Sequence, residues 1–163
     1  MCFTPILRAE HARALALGVT PSLHRADDVR AWHAAGGGAW HLAIDTGMHR
    51  AGARWDALDD ALLAAIAEHP PEGAYTHFHS ADADDAAHAA RTMAEQVARF
   101  DAVLARLPAR PPIVHAENSP AAARAASPSR WDVVRPGIWL YGVGVAGAPE
   151  PRPVVHLRAR VVD

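Results

Sequence analysis

A strict alternation of short apolar runs with longer alanine-rich stretches of helical period constrains this chain more than any other feature. The runs CFTPIL (2–7), VTPSL (19–23), HLAIDT (41–46), AYTHFH (74–79), PPIVHAEN (111–118) and VVRPGIWLYG (133–142) predict six strands. Between them, EHARALALG (10–18), ADDVRAWHAAGGG (26–38), WDALDDALLAAIAEH (55–69), DDAAHAARTMAEQVARFDAVLARL (84–107) and SPAAARAA (119–126) predict helices. Strand and helix in turn require right-handed crossovers and a parallel sheet. Successive strands end in the polar clusters DTGMHR, THFHSAD, HAENS and RPG. Such clusters line the mouth of a (β/α)8 barrel, and equally that of an open doubly wound sheet. The strand count favours an α/β chain forming a partial TIM-type barrel, about six of eight units.

The pattern changes after Gly142, where VGVAGAPEPRP (143–153) is a glycine- and proline-rich connector and VVHLRARVVD (154–163) is β-branched. The expected organisation is a partial barrel over residues 1–147, followed over 148–163 by a connector and the first strand of an absent C-terminal β-domain. CFTPIL opens in mid-strand, so the chain reads as truncated at both ends. An incomplete barrel leaves sheet edges open, and self-association is expected.

Charge and composition narrow the function classes. A net charge of −2 with eleven histidines provides no basic face for a phosphate backbone, which argues against nucleic acid as a partner. No apolar run approaches the roughly 18 residues of a bilayer span, which argues against a membrane protein. Pro5, Arg8 and Glu10 interrupt the segment in which a signal peptide keeps its apolar region, and the single cysteine, Cys2, fits a reducing compartment. A cytoplasmic location is expected.

Four clusters carry candidate chemistry. GVGVAG (142–147) has G-x-G-x-x-G spacing, but APEPRP follows it and no helix can open there, as a dinucleotide site needs. His77, His79, Asp82, Asp84, Asp85 and His88 contain an H-x-H pair that could hold Zn or Mn. Residues i and i+2 of a strand share a face, so the pair is equally the lining of a polar pocket, and no metal is predicted. Asn118 and Ser119 stand at a strand-to-helix junction, where a serine can cap the helix or offer its hydroxyl to an anion. Arg135 and Gly137 put a cation beside backbone left open to close approach. A hydroxyl, open amides and the arginines Arg50 and Arg135 at one mouth suit a planar, phosphorylated ligand.

DTGMHRAG (45–52), THFHSAD (76–82), HAENSPA (115–121) and WDVVRPGIWLYG (131–142), in this order and spacing, closely resemble the N-terminal barrel of alanine racemases, fold-type III pyridoxal-phosphate enzymes. The resemblance runs through essentially the whole chain. It implies an isomerase that interconverts L- and D-alanine for the cell wall, with pyridoxal 5'-phosphate as cofactor, alanine as substrate and a homodimeric full-length protein. It also implies roles: His77 against the pyridine ring, Ser119 with Asn118 beside it at the phosphate, and the amides of Gly137 and Ile138 completing the phosphate cup. Arg135 is implied to face the pyridine nitrogen, and Arg50 to lie near the phenolic oxygen and the substrate carboxylate. Guanidinium stays protonated to a pKa above about 12, so Arg135 would leave that nitrogen neutral and limit carbanion delocalisation, which suits racemisation.

The departures bear on activity. All sixteen basic residues are arginine, so no lysine is present to carry the cofactor. In the family that lysine stands on the first barrel strand, and the second catalytic base is a tyrosine from the partner subunit's C-terminal domain; Tyr141 belongs to the LYG motif and does not match it. Ala43 stands where many members have a carbamylated lysine, so Arg50 lacks that brace. The expectation is a racemase fragment inactive alone, with no catalytic residue of its own. The alternatives are a non-catalytic pyridoxal-phosphate-binding remnant and, third, a barrel metal hydrolase.

Overall fold

The computed structural model describes residues 1–125, 129–154 and 158–160. A 3-10 turn, Arg8–Glu10, runs into α1 (His11–Ala16), followed by β1 (Ser22–Leu23), α2 (Ala26–Ala34), β2 (His41–Asp45), β3 (Ala53–Arg54), α3 (Asp60–Glu68), β4 (Gly73–Tyr75), α4 (Ala86–Leu104), β5 (Ile113–His115), α5 (Ser119–Arg124) and α6 (Gly137–Leu140). The sheet is parallel throughout, in the order β1-β2-β4-β5, with β3 added to the C-terminal end of β2. This is the α/β arrangement of a partial barrel.

Local chemistry explains where the helices begin. Asp59 accepts from the Leu62 amide at 2.7 Å and starts α3 five residues later than the periodicity alone suggests. Asp85 accepts from the amides of Ala87 and His88 and starts α4. An aspartate before a helix satisfies amides that have no partner inside it. All five residues of β2 are buried, as expected of a central strand covered on both faces. Trp32, Trp40, Leu42, Ile66, Phe100, Val103 and Val114 form the interior of the apolar core.

Two of the six expected strands are replaced by something less regular. CFTPIL forms no strand; the Cys2 amide donates to the Thr20 carbonyl at 2.8 Å, and the Ser22 hydroxyl donates to the Cys2 carbonyl at 2.6 Å, so the segment lies alongside β1 without a ladder. VVRPGIWLYG contributes one parallel bridge, Asn118 with Arg135, before turning into α6. Pro5 and Pro136 have no amide hydrogen to give a ladder, which is why each run stops short. The expected last strand falls largely on residues 155–157 and 161–163, outside the described residues. Among the described residues, no helix is long and apolar enough to cross a membrane.

The sheet's alternation sorts the site from the core. Leu42 and Ile44 of β2 join the apolar cluster, whereas His41 and Asp45 are buried polar residues at alternate positions. Pairing of Ala43 with Tyr75, and of Tyr75 with His115, brings β2, β4 and β5 to one level, from which DTGMHR, THFH and HAEN lead into the mouth.

Candidate active site

At that mouth a cavity of about 730 Å³ is lined by Phe3, Arg50, His77, Arg135, Gly137 and Leu140, among others. Loop 46–52 carries Arg50 there. Asp45 closes the loop by accepting from the amides of Gly47 at 2.9 Å and His49 at 3.1 Å. Gly52 then returns the chain so that Ala53 and Arg54 pair with Ile44 and Asp45.

Arg135 is fixed by an unusually complete set of contacts. Its Nη2 donates to the carbonyls of Thr76 at 2.8 Å and Ala116 at 2.9 Å, and its Nη1 donates to Nδ1 of His115 at 2.6 Å. The guanidinium lies 5.4 Å from the ring centre of Phe3 and 5.5 Å from that of Tyr75. Burial lowers its pKa to about 10, so it is still a cation at neutral pH. His77 faces the same cavity; burial first, then the charges of Arg135 and Arg50, lower its pKa to about 4. Its imidazole is therefore neutral, and its Nε2 lies 3.3 Å from the Asn118 amide nitrogen.

Asn118, not Ser119, caps α5: its side-chain oxygen accepts from the Ala121 amide at 3.1 Å, and its amide group also donates to the Phe78 carbonyl at 3.0 Å. From the cap position an asparagine side chain reaches the amide three residues ahead as well as a serine does. Ser119 is buried inside the first turn, and its hydroxyl accepts from the Trp139 amide at 3.3 Å. That bond ties it to the segment holding Gly137 and Ile138, where the Gly137 amide donates to the Arg135 carbonyl at 2.8 Å. Thus Arg50, His77, Arg135 and Gly137 line the cavity itself, whereas Asn118, Ser119 and Ile138 adjoin it. His79 turns away, bonding Ser80. Among the described residues, no three His, Cys, Asp or Glu side chains converge as metal ligands.

Several positioning residues lie outside the motifs that the sequence singled out. Gln96, fully buried on α4, donates to Thr46 Oγ1 at 2.9 Å and the His77 carbonyl at 3.0 Å, and accepts from the His79 amide at 3.1 Å. Arg99 donates to the Thr46 carbonyl at 2.8 Å. One polar residue among the apolar positions of α4 was the available sign of this brace. Phe3, in a run read only as a strand, and His115, which opens the HAENSPA motif but was given no role there, hold Arg135 from two sides.

Comparison with known proteins gives this geometry its context. The family of the alanine racemase N-terminal domain matches residues 1–145. An alanine racemase of Geobacillus kaustophilus is 37% identical over 152 residues, covering 91% of this chain and 37% of that protein. One of Sorangium cellulosum is 38% identical over 130 residues, covering 75% of the chain and 33% of that protein. The solved alanine racemase of Bacillus anthracis with bound L-Ala-P superposes with a TM-score of 0.69 at 25% identity, covering 87% of this chain and 38% of its own. The chain thus spans about a third of the length of the relatives it matches. With the match running from the first residue through the Arg135 segment, the chain belongs to the alanine racemase family, in the part that forms its N-terminal domain.

Proposed function

We propose that this chain is the barrel portion of an enzyme that interconverts L- and D-alanine with pyridoxal 5'-phosphate. The observation that carries the reading is the convergence of Arg50, His77, Arg135 and Gly137 on one cavity within the matched domain. The donor set fits the cofactor: two cations for an anionic ligand, a neutral imidazole for a ring face, and a hydroxyl and amides together at Ser119, Gly137 and Ile138. A cavity of about 730 Å³ also lies within the usual range for small-molecule sites, about 300–1,000 Å³.

Bound there, pyridoxal phosphate supplies the electron sink that lets the Cα–H bond of alanine break and re-form. Arg135 supplies only donors, so it holds the pyridine nitrogen without protonating it. Neutral His77 packs against the ring without adding charge. Arg50 orients the substrate carboxylate, and Ser119 with the Gly137 and Ile138 amides holds the phosphate, exchanging their present bonds for it. Residues 1–147 form the barrel, and 148–163 lead toward a β-domain. The protein works as a cytoplasmic homodimer, with exposed Ile138, Leu140, Tyr141 and Val143 beside the mouth as the apolar surface offered to a neighbour.

With no lysine among its residues, the 163-residue chain is expected to bind the cofactor without a covalent bond and to form no measurable D-alanine from L-alanine. Pyridoxal phosphate should raise its melting temperature saturably, because a ligand that prefers the folded state stabilises it. Ser119→Ala removes one hydrogen bond to a charged group and is expected to weaken binding about tenfold. No shift with pyridoxal phosphate, together with a shift on adding zinc, would overturn the reading in favour of a metal site.

A further inference from the structure

Barrel interiors are usually filled by branched apolar side chains. Here Ser22, His41, Tyr75 and His115 are buried within one another's reach beneath Arg135. Tyr75 stacks on His115, with ring centres 5.2 Å apart and planes 16° apart, and its hydroxyl donates to Ser22 Oγ at 3.1 Å.

The hydrogen bonds along this line have only one possible direction. Nη1 of Arg135 can only donate, so His115 Nδ1, 2.6 Å away, must accept and His115 carries its proton on Nε2. Nε2 of His115 is 3.0 Å from Nδ1 of His41, which must then accept in turn. His41 is left with its proton on Nε2, which faces the Glu72 carboxylate at 3.7 Å. Burial favours the neutral form of both rings, His115 being lowered to about 3. Space for His41 is reserved by Gly73: a Cβ there would lie 2.4 Å from His41 Cε1.

We infer that His41 and Glu72, neither of which lines the cavity, are positioning residues: by accepting along the line they hold the His115 ring in the tautomer and orientation that Arg135 requires, and so steady the Arg135 guanidinium. What the guanidinium is oriented toward, the cofactor's pyridine nitrogen, rests on the function proposed above; the polarity of the line does not. Without His41 the Nε2 proton of His115 has no acceptor, the ring is free to turn, and Arg135 loses one of its three hydrogen bonds. Glu72 is half-exposed, so water partly replaces it and its removal has the smaller effect.

The test is nitrogen NMR on protein labelled in histidine and arginine, without added cofactor. Expected in the unsubstituted chain are Nε2–H tautomers at both His41 and His115 and separate Nη signals for a non-rotating Arg135. His41→Leu should merge those Nη signals. His41→Asn, whose side-chain oxygen can stand near the place of Nδ1, should keep them apart, a rescue that general packing does not predict. Should His41→Leu not fold, the tautomers of the unsubstituted chain and a partial effect of Glu72→Leu carry the same information. An Nδ1–H tautomer at either histidine, or Nη signals still separate in folded His41→Leu, overturns the inference. Because no cofactor is present, a failure of pyridoxal phosphate to bind leaves these readouts intact and counts only against the proposed function.

Discussion

Replacing Gly52 by alanine is expected to destabilise the protein by about 2–6 kcal/mol, and to weaken cofactor binding through the loop that carries Arg50. Gly52 has φ of +123°, a region that side chains rarely enter. Its position also leaves no room: an added Cβ would stand 2.7 Å from the Asp45 nitrogen and 2.8 Å from the Ile44 carbonyl carbon. These are backbone atoms of the central, wholly buried strand, and they cannot swing aside as a side chain would. The expected cost combines backbone strain of about 1–3 kcal/mol with overpacking of similar size. In a chain of this length each kcal/mol lowers the melting temperature by about 2–4 °C, so a fall of roughly 4–24 °C is expected in thermal unfolding. Gly38→Ala is the control, since a Cβ there meets nothing within 4 Å and φ is ordinary. Equal melting temperatures for the two variants would refute the packing account.

All the helices but α6, which lies in a run read as a strand, were legible because they are written locally. Asp59, Asp85 and Asn118 stand immediately before their helices, and the following residues repeat at helical spacing. The central strands were legible because burial on both faces makes a run such as HLAID apolar except at His41 and Asp45. The flanking runs misled because apolar content does not secure a ladder: Pro5 and Pro136 withhold donors, and only the three-dimensional arrangement shows how little pairing remains. β3 was invisible for a different reason. Two residues cannot display a period, and Ala53 and Arg54 pair only because Gly52 folds them back.

The site divides along the same line. Arg50, His77 and Arg135 lie in segments whose order and spacing carry the resemblance, and the structure brings all three to one cavity. What remained hidden depends on contacts between distant segments. His41 and His115 are separated by 74 residues, and nothing in either neighbourhood announces a bond between them. The helix cap at 118 rather than 119 turned on a shift of one residue, within the uncertainty of any boundary read from pattern alone.

The second large effect is loss of stability in mild acid. Burial is the leading cause that lowers the pKa of His24, His33, His41, His77 and His115, and the last two reach about 4 and about 3. In the unfolded chain each returns to about 6.5. Between the two values the unfolded state binds protons that the folded state refuses, so unfolding free energy falls as pH falls. Each histidine protonated only in the unfolded chain contributes a slope of about 1.4 kcal/mol per pH unit. The loss begins near pH 6.5 and for His77 and His115 continues to about 4 and about 3. Asp85 and Asp132 reinforce it at the acid end: hydrogen bonds from backbone amides lower their pKa values, so their stabilisation is present above the ordinary aspartate range and lost below it. Domains of this kind have about 5–15 kcal/mol in reserve, so cooperative unfolding is expected near pH 4–5, before most carboxylates titrate. Urea titrations at intervals from pH 7.5 to 4.5 measure the slope. An unfolding free energy that stays level from pH 6.5 to 4.5 would mean that these imidazoles take up protons in the folded state, and with them that His77 meets its ligand as a cation.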